Sequence, residues 1–297
     1  MKNKYFLQLV ALSALWGASF LLTRIAAPVL GPNLMAASRM GLATLVLAAI
    51  MRVLKHPWPK GHWRELFVLG LVGVAGPHVL YAWASLHLPA GYGALLSVTS
   101  VLFGAFASAW MKEETLTPTK LMGCLLGFLG AALVVRLGPV HPSDALIASA
   151  LVCTAAAGLS GVSTPLLKRA TVRMEPLTLT AGMHAAALLM MLPGAIYDFP
   201  QAQFTLTAVL SVLVLGVATS GLAYWIFVRI MRHITPVAGL SSTFMSTGFG
   251  VLWSVIFLGE ATGPVLYAGS ALILLSCLLV TGMNPWRLSV NALTSKP

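Results

Sequence analysis

The chain has 297 residues, of which 58% are hydrophobic and only 8% are charged, and its mean hydropathy is +0.90. A soluble domain carries about a quarter charged residues, so this composition excludes a water-soluble globular protein and indicates an integral membrane protein. The net charge of +11 does not indicate nucleic-acid binding, because the lysines and arginines lie at the ends of apolar runs rather than in clusters with aromatic residues.

Ten apolar stretches, each about 20 residues long, predict an all-α membrane protein with ten transmembrane helices. Proline, glycine and aspartate mark most of the breaks between the stretches. The predicted helices cover residues 5–27, 33–54, 65–86, 91–111, 119–138, 144–167, 176–196, 205–228, 236–258 and 264–284.

The sequence also contains an internal repeat at a spacing of 146 positions, because Gly70–Val134 aligns with Gly216–Val280 without a gap. A repeat of this length predicts two domains, residues 1–140 and 141–297, each containing five helices. Five crossings bring the chain to the opposite side of the membrane. We therefore expect the two repeats to be inverted relative to each other, an arrangement typical of secondary transporters.

The basic residues predict the orientation of the chain. With the N-terminus in the cytoplasm, the outer ends of the helices hold only Arg24 and Arg136. The positive-inside rule then places both termini in the cytoplasm and the protein in the inner, cytoplasmic membrane as a multi-pass protein. The inner segments hold Lys2, Lys4, Arg52, Lys55, Lys60, Arg64, Lys112, Lys120, Lys168, Arg169, Arg173, Arg229, Arg232, Arg287 and Lys296.

Several motifs resemble the EamA-type branch of the drug/metabolite transporter superfamily. Residues 16–20, Trp-Gly-Ala-Ser-Phe, are similar to its first-helix pattern, and Arg39 occupies the place of its second-helix arginine. The glycine-rich fifth helix and the glutamates Glu114 and Glu260, after the fourth helix of each repeat, are also similar. Within this family the chain is similar to amino-acid exporters of the YddG type. The resemblance covers the whole chain and implies transport of a small molecule.

The two repeats differ at the place of the second-helix arginine. The second repeat carries Met183 and His184 where the first carries Arg39. The role of Arg39 is therefore not duplicated. An intramembrane charge is a functional candidate, but an arginine can also bond to carbonyls at helix ends. We assign Arg39, Pro77, Glu114 and Glu260 to structural or gating roles, with the two glutamates as helix caps.

Small residues recur every three or four positions along one face of the fourth and the ninth helices. Such stripes let helix backbones approach closely. We interpret them as packing surfaces, and three of their serines also as lining a substrate path. The stripes are Gly93, Ser97, Ser100, Gly104 and Ser108 in the fourth helix, and Gly239, Thr243, Ser246, Gly250 and Ser254 in the ninth.

A Gly-Pro-His sequence at residues 76–78 interrupts the third helix near its midpoint. Proline lacks a backbone donor and kinks a helix, and transporters place such breaks beside the substrate cavity. His78 and Tyr81 then lie about one turn apart near the midplane, close to Trp16 of the first helix. The predicted substrate-binding residues are Trp16, Ser19, His78, Tyr81, Ser97, Ser100, Ser160, Met245 and Ser246.

The distribution of charge narrows the substrate. All seven acidic residues lie at helix ends or in loops, so no deep carboxylate is available for the export of cationic drugs. The fourth, sixth and ninth helices carry no lysine or arginine at mid-span, which argues against phosphate esters. A neutral or zwitterionic solute fits best. We therefore expect an exporter of neutral small metabolites, amino acids above all, that needs no metal or other cofactor, and we leave its oligomeric state open.

Two alternatives remain. A broader drug/metabolite exporter would share this architecture. The Gly-Leu-Ser-Gly sequence at 158–161 would also suit an intramembrane serine protease, with Ser160 as nucleophile and His184 as base. The repeat explains these residues without catalysis, because they align with residues 17–20 of the first repeat.

The topology makes a direct prediction for the two segments that flank the sixth helix. Single cysteines introduced at 138–144 should react with a membrane-impermeant thiol reagent added outside the cell. Cysteines at 169–175 should react only after the membrane is made permeable. The opposite pattern of labelling would refute the predicted orientation.

Overall fold

The computed structural model describes residues 3–59, 61–88, 90–135, 143–258 and 264–282. Over these ranges the chain is helical and contains no strand, so the prediction of an all-α protein is confirmed. The helices are α1 (Asn3–Leu30), α2 (Pro32–Val53), α3 (Trp63–Ala84), α4 (Ala90–Ser97 and Thr99–Trp110), α5 (Pro118–Val134), α6 (Asp144–Arg173), α7 (Pro176–Asp198), α8 (Leu206–Met231), α9 (Pro236–Leu258) and α10 (Pro264–Thr281).

Seven of the described helices, α1 to α4 and α6 to α8, are long and apolar enough to cross a membrane. Helix α5 and residues Tyr267–Thr281 of α10 are apolar but shorter. One boundary differs clearly from the prediction, because α6 continues to Arg173 rather than ending at residue 167. The prediction ended this helix where the apolar stretch ends. The backbone hydrogen bonds of a helix do not depend on an apolar environment, and residues 168–173 contain no glycine or proline that would end the helix.

Two helices contain π-helical segments at corresponding places. The segments are Gly70–Ala75 in α3 and Val214–Ala223 in α8, and Gly70 and Gly216 are repeat counterparts. In α3 the segment ends at Ala75, two residues before Pro77. The predicted interruption of the third helix is therefore a wider helical turn. Such π segments are frequent at functional sites.

The helices pack in matched pairs. Helix α1 packs against α9 just as α6 packs against α4, and α2 packs against α8 just as α7 packs against α3. The pairs α2 with α7 and α5 with α10 each join one helix to its counterpart. If each helix is replaced by the helix five places away in the chain, α1 by α6, α2 by α7 and so on, the set of packed pairs named here stays the same.

The small-residue stripes of α4 and α9 each receive one glycine from another helix. A Cβ atom added to Gly17 of α1 would lie 2.8 Å from the backbone oxygen of Ser246, and one added to Gly161 of α6 would lie 2.5 Å from that of Ser100. Both distances are too short for a real Cβ contact, so glycine is required. The alignment of the two repeats paired Gly17 with Gly158. The structure corrects this, because Gly161 is the residue that makes the equivalent contact.

Carboxylates join the ends of helices that are distant in sequence. Glu114, almost fully buried, accepts a hydrogen bond of 3.0 Å from the backbone nitrogen of Val237 and lies 2.7 Å from Nζ of Lys120. The sequence predicted that Glu114 caps the helix that follows it. Instead it caps the first turn of α9, which belongs to the other repeat. The corresponding prediction for Glu260 lies outside the described residues.

A second carboxylate cap joins α7 to α2. Asp198, at the last turn of α7, accepts hydrogen bonds of 2.8 and 3.3 Å from the backbone nitrogens of Asn33 and Leu34 at the start of α2. Negative charge is favourable at a helix N-terminus, where backbone N–H groups lack partners. These acidic residues therefore stabilise the bundle at its edges.

Basic residues connect the C-terminal ends of α6 and α8. We call this region, which contains Lys168, Arg169 and Arg232, the basic end. Lys168 donates hydrogen bonds of 2.7 and 3.1 Å to the backbone oxygens of Met231 and Arg232. Arg232 in turn donates to backbone oxygens at the end of α6. Arg169 forms an ion pair with Glu113 in the turn after α4. Side chains thus connect the last turns of α4, α6 and α8.

Glycine substitutions test the close contact between α4 and α6. Gly161→Ala should lower the free energy of unfolding by about 1–3 kcal/mol, because the added methyl group forces the two backbones apart. Gly158→Ala is the matched control one turn earlier, since its Cβ would meet Phe103 at 3.9 Å, an ordinary contact distance. The thermal midpoint of the purified protein measures both effects. Equal midpoints for the two variants would contradict this packing.

Removing the charge of Glu114 tests its capping role. Glu114→Gln should lower the free energy of unfolding by about 1–3 kcal/mol, because a charge-assisted hydrogen bond to α9 is weakened and Lys120 loses its partner. Glu113→Gln, at a more exposed ion pair, should cost less than about 1 kcal/mol. Transport per folded molecule should stay unchanged in Glu114→Gln. Normal stability with abolished transport in Glu114→Gln would instead indicate a gating role.

Candidate substrate cavity

A cavity of about 260 Å³ lies between helices of the two halves. Its described lining comes from α1 to α4 with the turn after α3, and from α6, α8 and α9. It extends from Thr23, Arg24 and Leu88, near the ends of α1 and α3, to Leu167 and Leu240, which lie towards the basic end. The residues that connect the helices at the basic end are not part of the lining. Because both halves contribute, the cavity lies between them.

The structure brings together eight of the nine residues predicted to bind substrate. Only Met245 is missing from the lining, because it is 4% exposed and packs in the hydrophobic core. Hydroxyl residues lie on several faces of α9, at positions 241–243, 246 and 247, so its sequence does not distinguish the face towards the cavity from the face towards the core. The eight residues are Trp16, Ser19, His78, Tyr81, Ser97, Ser100, Ser160 and Ser246.

Aromatic side chains form one wall of the cavity. The ring of Trp16 meets Phe227 edge to face at 5.3 Å, and Tyr224 contacts Phe227 in the same manner at 6.0 Å. The indole nitrogen of Trp16 donates a hydrogen bond of 3.2 Å to the backbone oxygen of Thr219 in the π segment of α8. The position of Trp16 is therefore fixed by α8. This wall offers an apolar surface to a ligand.

Tyr224 and Phe227 line the cavity but were not among the residues predicted from the sequence. The repeat contained the necessary signal, because at a spacing of 146 positions Tyr224 is the counterpart of His78 and Phe227 the counterpart of Tyr81. All four residues line the cavity. Carrying each candidate across the repeat would have predicted both.

The polar side chains in the cavity differ in how many of their donors and acceptors already have a hydrogen-bond partner in the protein. Nδ1 of His78 lies 2.7 Å from the backbone oxygen of Val74, and because a carbonyl only accepts, Nδ1 carries the proton and Nε2 of the neutral ring is an acceptor. The side chains of Tyr81 and Ser160 interact with each other. The hydroxyl of Ser19 is buried and has no hydrogen-bond partner among the described residues. Of these groups, the ring of His78 therefore presents a nitrogen that a ligand can engage.

Two arginines line the cavity, and this changes the expectation for its charge. Arg39 is 8% exposed, and its Nε and Nη2 donate to the hydroxyls of Ser220 and Thr219 at 2.5 and 3.1 Å. Arg24, exposed near the other limit of the cavity, donates to the backbone oxygen of Leu88. The prediction of an uncharged cavity rested on the absence of mid-span basic residues from the fourth, sixth and ninth helices. It was incomplete, because α2 places Arg39 in the cavity.

Acidic residues do not balance these charges. The described lining contains no aspartate or glutamate, and Arg39 has no carboxylate partner in the part of the chain that the structure describes. The described residues also contain no group of side chains suited to hold a metal ion. The cavity thus combines hydroxyls, aromatic rings and positive charge.

The arrangement predicted for an intramembrane protease is not formed. Ser160 lines the cavity, whereas His184 does not. Nδ1 of His184 bonds to the backbone oxygen of Thr180 at 2.8 Å, and its ring packs edge to face against Tyr224 at 5.0 Å. Gly161 next to Ser160 is explained by the contact between α6 and α4. Ser160 is therefore part of a cavity wall and not of a catalytic pair with His184.

Comparisons with known proteins point to membrane transport. A probable terminal-alkyne amino-acid exporter from Streptantibioticus cattleyicolor is 26% identical over 272 residues, which cover 89% of each chain. An uncharacterized transporter, YvbV, from Bacillus subtilis is 26% identical, covering 94% of this chain and 92% of its own. Protein PecM from Dickeya dadantii is 25% identical, covering 91% of this chain and 89% of its own.

A solved crystal structure shares the fold. It superimposes with a TM-score of 0.77 at 22% identity, over 99% of this chain and 100% of the other. The model of the EamA-like transporter family matches the chain twice, at residues 3–136 and 147–282. These matches and the apolar helices lead to the same conclusion: the chain belongs to the EamA-like transporter family and is a multi-pass membrane transporter, not an enzyme.

Proposed function

We propose that this protein exports neutral small metabolites, above all amino acids, across the bacterial inner membrane by alternating access. The observation that carries the proposal is the cavity between the two halves, with its hydroxyls, aromatic wall and arginines and no acidic residue in its described lining. Transporters place their substrate sites at the interface of the repeats. The partners of the protein are then a small solute and the lipid bilayer.

The proposed architecture is ten transmembrane helices in two inverted repeats, residues 1–140 and 141–297. The double match of one family model supports two repeats, and so do the matched helix pairs and the two π segments. Five crossings in each repeat make the second run opposite to the first. A pseudo-twofold axis in the membrane plane would relate them, so that one cavity is reached from either side in turn.

The structure fits a state of the cycle that is closed on the cytoplasmic side. The positive-inside rule places the basic end in the cytoplasm, together with both termini. There the bonds of Lys168, Arg169 and Arg232 hold the last turns of α4, α6 and α8 together, whereas the cavity reaches Arg24 and Leu88 towards the opposite side. Opening to the cytoplasm would require these bonds to break.

Amino acids match the chemistry of the cavity. A zwitterion carries a carboxylate for a positive or hydroxyl-lined surface, an ammonium group for carbonyls and aromatic faces, and a side chain for the wall formed by Trp16, Tyr224 and Phe227. The relative from Streptantibioticus cattleyicolor, named as a probable amino-acid exporter, supports the same class of substrate.

Flux in liposomes tests this proposal. Purified protein should exchange labelled alanine, leucine and phenylalanine across the membrane. Trp16→Ala and Tyr81→Ala should raise the KM for phenylalanine about tenfold and the KM for alanine much less, because each removes apolar contact worth about 1.5–3 kcal/mol when fully buried. Trp110→Ala, at a side chain that is 83% exposed, is the control that should change neither value.

Each other outcome identifies a different function. Flux of bulky apolar compounds but of no amino acid would favour a broader drug/metabolite exporter. Cleavage of casein by the purified protein, lost in Ser160→Ala, would favour the protease. Unchanged affinity and preference in both aromatic variants would remove Trp16 and Tyr81 from the site.

A further inference from the structure

Arg39 is a buried cation that the protein leaves partly unpaired. Its guanidinium group has five N–H donors. Two of them are used by the neutral hydroxyls of Ser220 and Thr219, and no contact among the described residues uses the others. Hydroxyls satisfy donors but do not compensate a charge, and an uncompensated charge within a membrane protein is costly. The feature therefore needs an explanation beyond local bonding.

Helix packing does not explain the charge, and the repeat provides an internal comparison. Where α8 meets α2, a Cβ on Gly216 would lie 2.9 Å from the backbone oxygen of Arg39. Where α3 meets α7, a Cβ on Gly70 would lie 2.8 Å from the backbone oxygen of Met183. The same close contact thus forms at Met183 with an uncharged side chain. The second repeat shows that the architecture itself does not require an arginine here.

The side chain of Arg39 is held in a defined position at the cavity. Thr219 donates its hydroxyl proton to the backbone oxygen of Leu215 at 2.6 Å, so its oxygen is oriented to accept from Arg39. The backbone oxygen of Thr219 also receives the indole N–H of Trp16. One residue of α8 therefore positions both the cation and the aromatic wall, and Arg39 lines the cavity.

We propose that Arg39 is an anion subsite that binds the carboxylate of the transported solute, which makes a carboxylate the required group of the substrate. The guanidinium fork is suited to the two oxygens of a carboxylate. With no acidic residue in the described lining, the site favours solutes whose net charge is zero or negative over amines. This inference rests on the proposed transport function of the cavity, and Ser220 and Thr219 act as positioning residues.

Binding to the detergent-purified protein tests the subsite separately from transport. Alanine, leucine and phenylalanine are each compared with their own carboxamides, which keep the side chain and the amine but lack the carboxylate. For the wild-type protein we expect at least one acid to bind at least tenfold more tightly than its amide, measured by calorimetry and by the shift in thermal midpoint. Arg39→Gln should abolish this preference, and Arg39→Lys should retain only part of it because a lysine lacks the fork.

Two further variants keep the test decisive if Arg39→Gln folds poorly. Ser220→Ala with Thr219→Val keeps the charge but removes its positioning, and should reduce the preference for the acid several-fold. Arg52→Gln removes an exposed arginine of α2 that does not line the cavity and should leave the preference intact.

Several results would overturn the inference. They are equal affinity of the wild-type protein for acids and amides, absence of binding by every acid, a preference that survives in Arg39→Gln, and a preference that is undiminished in the double variant. Flux through liposomes distinguishes this failure from a failure of the proposed function. An Arg39-dependent preference in binding without flux of any amino acid would leave the subsite standing and refute amino-acid export.

Discussion

The rest of this structure depends on the need to satisfy polar groups where no water is present. In a bilayer an unpaired polar group costs several kcal/mol, so side chains bond within the protein or face a cavity. Many hydroxyls here bond to the backbone oxygen one turn earlier, as Thr180 and Thr281 do. Acidic residues lie at helix ends, where Glu114 and Asp198 cap other helices. Arg39 departs from this pattern, and it lies at the cavity.

Glycine contacts and π segments determine where that cavity forms. Gly17 and Gly161 bring α1 onto α9 and α6 onto α4, so four helices meet closely on two sides of the bundle. The π segments of α3 and α8 supply Gly73 and Thr219 to the lining. In sequence, α3 lies between α1 and α4, and α8 lies between α6 and α9. A wider turn shifts the side chains that follow it; Tyr224 comes directly after the segment in α8, and His78 lies three residues after the end of the segment in α3. A π segment in each half therefore contributes residues to the lining of the same cavity.

Much of this was predictable from sequence because it depends on features that act along the chain. The length of each apolar stretch predicted the helices, the 146-residue register predicted matched halves, and Pro77 predicted an irregular third helix. Contacts between helices that are distant in sequence were not predictable, because the sequence does not show which helix faces which. A helix with hydroxyl residues on several faces, as α9 has, does not reveal its cavity face, so Met245 was misplaced. Likewise, nothing near Glu114 in sequence indicates that its partner is Val237, and nothing near Arg39 indicates the cavity.

The central claim is that the polar side chains of the two halves meet in one water-accessible cavity. Cysteine accessibility measures this most directly, in a protein whose native cysteines, including the cavity residue Cys153, are replaced. Tyr81→Cys and Ser160→Cys, at partly exposed residues of the lining, should react with a membrane-impermeant thiol reagent added outside, and a transported amino acid should slow both reactions. Ser108→Cys, at a fully buried position, should not react. Equal reactivity at all three positions, or reaction at Ser108 alone, would contradict a shared cavity.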